Sequence, residues 1–264
     1  MKKILLPLVF ACFIAAGNAQ IKINKGKLDA ATSAVKAFTV SDAEIASAAA
    51  ESVKWMDENN PVCTINDKNP KKKAYAVRLE KIFGPYKNYD GLNLNYKVYY
   101  VTDINAFACP DGSVRVFSSL MDMMTDDEIL GVIGHEIGHV KLGHSKKAYK
   151  QALLTEAAAK YAGSTTGTVA SLMQTDAGQV TQAFLGSQFS QSQESDADDY
   201  SYKFLVANGK DPEGLVTAFQ KFAKMEKEAG ADKSLKTRMF SSHPDSEKRA
   251  KRIQDKIDKA AKKK

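Results

Sequence analysis

The sequence has 264 residues and 28.8 kDa, is 44% hydrophobic and 26% charged, and carries a formal net charge of +7. These proportions exclude collagen-like, low-complexity and membrane-bundle chains, and the length is ample to bury a core. The mild positive excess suits peripheral association with an anionic membrane surface. It is too diffuse for nucleic acid, and the Lys-rich end after Arg252 has no interleaved aromatics.

Residues 1–19 read as a secretory signal peptide. Lys2 and Lys3 form a short basic start, 4–16 is apolar apart from Pro7, and Gly17-Asn18-Ala19 puts small residues before Gln20. Residues 20–264 are then expected to be one domain, core about 40–255, in the periplasm or secreted. A lipid anchor on Cys12 is the rival, but bulky Phe10 fits a lipobox poorly. No later run reaches the roughly 18–20 apolar residues of a membrane span. Two cysteines remain, Cys63 and Cys109, and in an oxidising compartment they are expected to form a disulfide.

Ser41-Asp42-Ala43-Glu44 is a capping box opening a helix to about Asp57. Residues 60–73 read as a loop, and 74–83 as a helix stopped by Gly84-Pro85. Three short strands follow, over 96–101, 104–108 and 114–117, with Pro110-Asp111-Gly112 as a turn, and they suggest a small meander. Thr125-Asp126-Asp127-Glu128 is a second capping box. The helix it opens is apolar almost all round, hence central to the core, and Gly143 is placed to end it. Residues 148–161 continue as helix, and 162–178, rich in small residues, read as a mobile connection. Further helices are expected over 187–207, from Pro212 to about Glu228, and after Pro244. Helices around one small three-stranded sheet make the class α+β.

His135-Glu136-Ile137-Gly138-His139 carries the chemistry. Histidines at i and i+4 project from one helix face, close enough to hold one metal ion, with Glu136 beside them. This is the zinc-peptidase arrangement: one zinc acidifies water, and the glutamate takes its proton as water attacks a carbonyl. A third histidine at the H-E-x-x-H-x-x-G-x-x-H spacing would stand at Ser145, so His144, one place short, reads as local packing or capping. A glutamate from a following helix is the alternative. Glu194 supplies one, and Asp198, four residues on, is placed to accept a hydrogen bond from a ligand histidine. His243-Pro244 has two readings: a helix-start residue, or a hydrogen-bond donor to the oxygen that turns negative during attack on a carbonyl.

The segments His135 to His144, Glu194 to Asp198, and His243-Pro244 with Arg249 beyond resemble the gluzincin peptidases, in the group of the CAAX prenyl endopeptidase and its soluble bacterial relatives. The resemblance implies a mostly helical zincin-type domain, zinc bound by His135, His139 and Glu194, and Glu136 as catalytic base. It implies that Asn105, Ala106 and Phe107 lie on an edge strand that lines the cleft and pairs with an extended peptide, and that Arg249 orients His243 or holds substrate. It also implies unfolded or misfolded envelope polypeptides as substrates. The rival from another class is a zinc-binding chaperone or assembly factor that does not cleave; nothing but catalysis requires an acid at Glu136. A latent protease plugged by 162–178 shares the chemistry and differs in regulation.

Overall fold

The computed structural model describes residues 35, 37–161, 181, 188–231 and 242–262. The expected signal peptide and the connection over 162–178 lie outside the described residues. In chain order the elements are α1 (Asp42–Asn59), β1 (Val62–Cys63), α2 (Pro70–Phe83), β2 (Asn88–Tyr89), β3 (Leu92–Asn93), β4 (Asn95–Tyr99), β5 (Ala106–Ala108) and β6 (Ser113–Phe117). There follow α3 (Ser118–Met123), α4 (Asp126–Lys141), α5 (His144–Tyr161), α6 (Gln191–Ala207), α7 (Glu213–Ala231) and α8 (Ser246–Ala261). The α+β class stands. No helix among the described residues is long and apolar enough to cross a membrane.

Local signals place the helix starts. In α1 the Glu44 amide donates to Ser41 Oγ (3.2 Å) while Glu44 Oε2 accepts from the Ser41 amide (2.8 Å). Thr125 and Glu128 make the same reciprocal pair at α4. Helix α2 begins earlier than the apolar pattern alone predicts, because Asn69 Oδ1 accepts from the amides of Lys71 and Lys72 and Pro70 fills the first turn. Helix α6 begins at Gln191 rather than near 187, at a capping box of Ser190 and Gln193.

The sheet differs from a meander. Four strands lie in the order β1–β4–β6–β5, with β4 and β6 parallel (Val98 opposite Val116) and β5 antiparallel to β6. Every residue of β6 is buried, as a central strand requires, so β6 inserts between β4 and β5 and leaves β5 on the edge. Helix α4 covers the sheet and is itself wrapped by α6 and α7. Ile129, Ile133 and Ile137 from α4 share one core with Val98, Val116, Phe204 and Phe219. Each such side chain contributes roughly 1.5–3 kcal/mol on full burial.

The expected Cys63–Cys109 disulfide is not formed; both thiols are free and buried. Cys63 sits on β1 at one edge and Cys109 directly follows β5 at the other, with two strands between them. Three strand spacings separate them by about 14 Å, at ~4.8 Å each, whereas a disulfide needs Cα atoms within about 7 Å. Burial pushes the Cys63 thiol up to about 11 and Cys109 higher, so both stay protonated.

Helix α1 is tied to the sheet by a partly buried ion cluster. Arg115 on β6, 2% exposed, donates from Nε and Nη2 to the two carboxylate oxygens of Asp57 at 2.8 and 2.9 Å. Lys97 and the Tyr99 hydroxyl donate to the same carboxylate, each at 2.7 Å. Burial alone would raise the Asp57 pKa, but these donors outweigh it and hold the carboxyl at about 2, below its ordinary 3.8. The folded pKa is depressed, so the stabilisation is present above pH 4 and is lost as pH falls through about 2. Asp57→Ala strands Arg115 in the interior and is expected to cost about 3–5 kcal/mol at pH 7. Urea unfolding at pH 7 and pH 3 checks this: the gap to the parent protein should narrow at the lower pH.

Candidate active site

Helix α4 carries His135, Glu136 and His139, all at most 5% exposed. Their placement depends on close packing with α6. A Cβ on Gly134 would stand 2.8 Å from Ser201 Oγ, and one on Gly138 3.1 Å from the Cα of Ala197. The two glycines therefore let α6 lie directly on the α4 backbone, which brings Glu194, in the first turn of α6, against the two histidines. The helix N-terminus favours the carboxylate there.

Four donor atoms converge. His135 Nε2 and His139 Nε2 are 3.0 Å apart. Glu194 Oε1 lies 3.2 Å from His139 Nε2, and its Oε2 lies 3.5 Å from His135 Nε2. His243 Nδ1 lies 3.1 Å from Glu194 Oε1 and 3.3 Å from His135 Nε2. Donors about 2.0–2.1 Å from a tetrahedral zinc are separated by about 3.3 Å, which is the spacing of this set. The four ligand atoms lie within 4.8 Å of one another, all buried. His243, read from the sequence as a helix-start residue or as a donor to the carbonyl oxygen, stands in the donor cluster, with Nε2 3.5 Å from Glu136 Oε1.

The surroundings fit a divalent cation. His135 Nδ1 donates to Asp198 Oδ1 at 2.8 Å, leaving the lone pair of Nε2 for a metal. Burial holds His139 far below the ordinary histidine range, at about 2, so its ring is neutral as ligation requires. Burial opposes ionisation of Glu194, but His135 and His243 outweigh it and keep the carboxyl charged. Three buried carboxylates, Glu136, Glu194 and Asp198, stand at the donors, with Arg249 and, at 3.7 Å from Asp198, Arg252 as their arginine partners. A zinc ion would add two positive charges to this acidic set.

Arg249, read as orienting His243 or holding substrate, stands against the carboxylates of the site. It is 6% exposed, donates from Nη1 to Glu194 Oε2 at 2.6 Å and grips both Asp198 oxygens through Nε (3.0 Å) and Nη2 (2.6 Å). With its guanidinium so engaged and stacked on Phe219, it holds the carboxylates in place.

The cleft beside the donors is lined by Asn105, Ala106, Ala108, Glu136, His139, Phe189 and His243, among others. Edge strand β5 is one wall. Bonds from Phe117 N to Asn105 O and from Cys109 N to Ser113 O mark alternate residues as those joined to β6. The backbone groups of Ala106 and Ala108 therefore point to the free edge. Asn105 Oδ1 accepts the Ala106 amide at 3.0 Å. The Phe107 ring packs with Tyr99 and Phe117, so this residue offers the cleft its main chain. Glu136 Oε1 has no hydrogen-bond partner, and burial raises its pKa above the ordinary glutamate value.

Sequence reasoning missed Phe189, whose ring stacks on His139 with centroids 3.8 Å apart and planes at 22°. The signal was available. An apolar residue just before the Ser190 cap normally packs on the fourth helical residue, but that residue is Glu194, so Phe189 had to cover something else.

Peptidase family M48 matches residues 85–257. The chain is 41% identical to Metalloprotease LoiP of Escherichia coli over 235 residues, covering 89% of this chain and 88% of that one. It is 39% identical to Metalloprotease YcaL of the same organism, covering 85% and 84%. The mitochondrial metalloendopeptidase OMA1 of Arabidopsis thaliana is 28% identical over 165 residues, 60% of this chain and 31% of that one. With a family match over most of its length and a four-donor cluster of histidine and glutamate, the chain belongs to peptidase family M48 and is a zinc metalloendopeptidase.

Proposed function

We propose that the chain cleaves extended or misfolded polypeptides of the cell envelope, with zinc held by His135, His139 and Glu194 and Glu136 acting as the base. The observation that carries this is Glu136 Oε1, without a hydrogen-bond partner and buried beside three converging ligand atoms in a cleft walled by β5, the edge strand among the described residues. Zinc bound there supplies Lewis acidity toward water and toward the scissile carbonyl. The chain's own residues do the rest. Glu136 Oε1 takes the proton of the attacking water and can pass it to the leaving amine. Edge strand β5 aligns the peptide through the Ala106 carbonyl and the Ala108 main chain, antiparallel, by adding it as a strand. Only an unfolded segment can pair this way, which supports misfolded proteins as substrates. A non-cleaving chaperone would have no use for a buried acid without a hydrogen bond beside the metal.

Location in the periplasm or outside the cell follows from the signal peptide read in residues 1–19 and belongs to the same proposal. The test is digestion of unfolded casein by the purified mature chain, with and without a chelator. Cleavage should stop on chelation and return with zinc. Failure to cut casein under any metal condition would sink the reading.

His243 has two roles to separate. As a hydrogen-bond donor to the carbonyl oxygen, its loss lowers kcat by about 10²–10³-fold and leaves zinc content intact. Its Nδ1, 3.1 Å from Glu194 Oε1, also suits a fourth ligand, and then His243→Ala weakens zinc binding instead. Metal content and kcat measured on the same preparation distinguish them.

A further inference from the structure

We propose that His144 positions the metal ligand His139 by accepting a hydrogen bond from its outer ring nitrogen, and so sets the zinc affinity of the site. The proposal rests on His139 being a zinc ligand. The two Nδ1 atoms lie 3.0 Å apart, with His139 1% and His144 8% exposed. A neutral imidazole carries one proton, so if His139 Nε2 offers its lone pair to a metal, Nδ1 bears the hydrogen. At 3.0 Å one of the two facing nitrogens must donate and the other accept. His139 therefore donates, and His144 is the acceptor, neutral, with its own proton on Nε2.

The chain is built to bring this contact about. Helix α4 ends as the Leu142 amide donates to Gly138 O and the Gly143 amide to Val140 O. Gly143 takes φ +74°, a left-handed conformation that a Cβ would strain. That reversal makes His144 the first residue of α5 and folds its ring back over His139, with ring centroids 5.1 Å apart. Phe189 covers the face of the same ring. His139 is thus held at its edge by His144 and on its face by Phe189. The two ligand histidines are backed unequally. His135 has the Asp198 carboxylate, whereas His139 has a neutral imidazole. The spacing that makes His144 useless as a third ligand, one residue short, is what lets it reach the outer side of the second.

The test uses the mature chain and zinc alone. Asparagine puts Oδ1 where the Nδ1 of histidine stands and keeps an acceptor; leucine keeps volume and removes it. His144→Leu should weaken zinc binding, measured by chelator competition, by about 10–100-fold. His144→Asn should stay within about threefold of the parent, since the acceptor survives. The zinc-free forms should melt together. Should the leucine variant not fold, His144→Phe repeats the comparison with a ring that has no acceptor. Equal losses in the asparagine and leucine variants, or parental affinity in the leucine variant, would overturn the proposal. His139→Ala, run alongside, separates this from the underlying reading. If it binds zinc like the parent, the ligand assignment itself fails; if it alone loses zinc, only the role of His144 does.

Discussion

Glu136→Gln is expected to lower kcat by about 10²–10⁴-fold, the contribution of a positioned base, while zinc content and fold are unchanged. Glutamine has the volume of glutamate but cannot take a proton. The side chain is 5% exposed, one oxygen has no partner, and burial already raises its pKa, so the native protein holds an acid in surroundings that disfavour its charge. Such a group costs stability and persists for function. The neutral amide should therefore melt no lower than the parent, and higher in the absence of zinc, where the metal's charge no longer helps to offset the carboxylate. Casein turnover, bound zinc and melting temperature, measured together, check the three parts. Parental turnover in this variant would remove Glu136 from the mechanism.

What could be read from the sequence divides along the range of the interactions. The pair His135 and His139 is legible because helical geometry alone puts i and i+4 on one face. The same holds for Glu194 and Asp198, which bind the two sides of the His135 ring from successive turns of α6. The capping boxes at Ser41 and Thr125 are equally local. The start of α2 was legible too, in Asn69-Pro70, but the run Lys71-Lys72-Lys73 hides the apolar period and reads as loop. Strand order was not legible. Pairing β4 with β6 in parallel depends on which strand the helices bury on both faces, and Arg115 in the middle of β6 argues against a buried strand until Asp57 is seen beside it. The cysteine count said nothing about distance, and two intervening strands decide it. Arg249 and His144 carry the same lesson in the site. Their residue types were noticed, yet what each touches depends on how α8 and α5 return to α4.

Glu194→Ala is expected to lower zinc affinity by more than the roughly 10–100-fold that loss of an outer partner such as Asp198 costs, since it removes a ligand. The fold should tolerate the change. Arg249 loses its contact to Glu194 Oε2 but keeps both oxygens of Asp198, so its charge stays paired. The substitution also takes one carboxylate out of the interior. The zinc-free variant should consequently melt close to the zinc-free parent. The zinc-loaded forms should diverge, because a ligand that binds only the native state stabilises it by RT ln(1 + [L]/Kd), about 1.4 kcal/mol for each tenfold in affinity at saturating zinc. Melting with zinc and with a chelator therefore isolates the metal's contribution: the gap should be wide in the parent, narrower in Asp198→Ala and nearly closed in Glu194→Ala. Glu194→Gln keeps the volume and a neutral oxygen donor, and should fall between the alanine variant and the parent. An undiminished gap in Glu194→Ala would mean that the third ligand lies elsewhere, and His243, whose Nδ1 faces the same point, would be the residue to replace next.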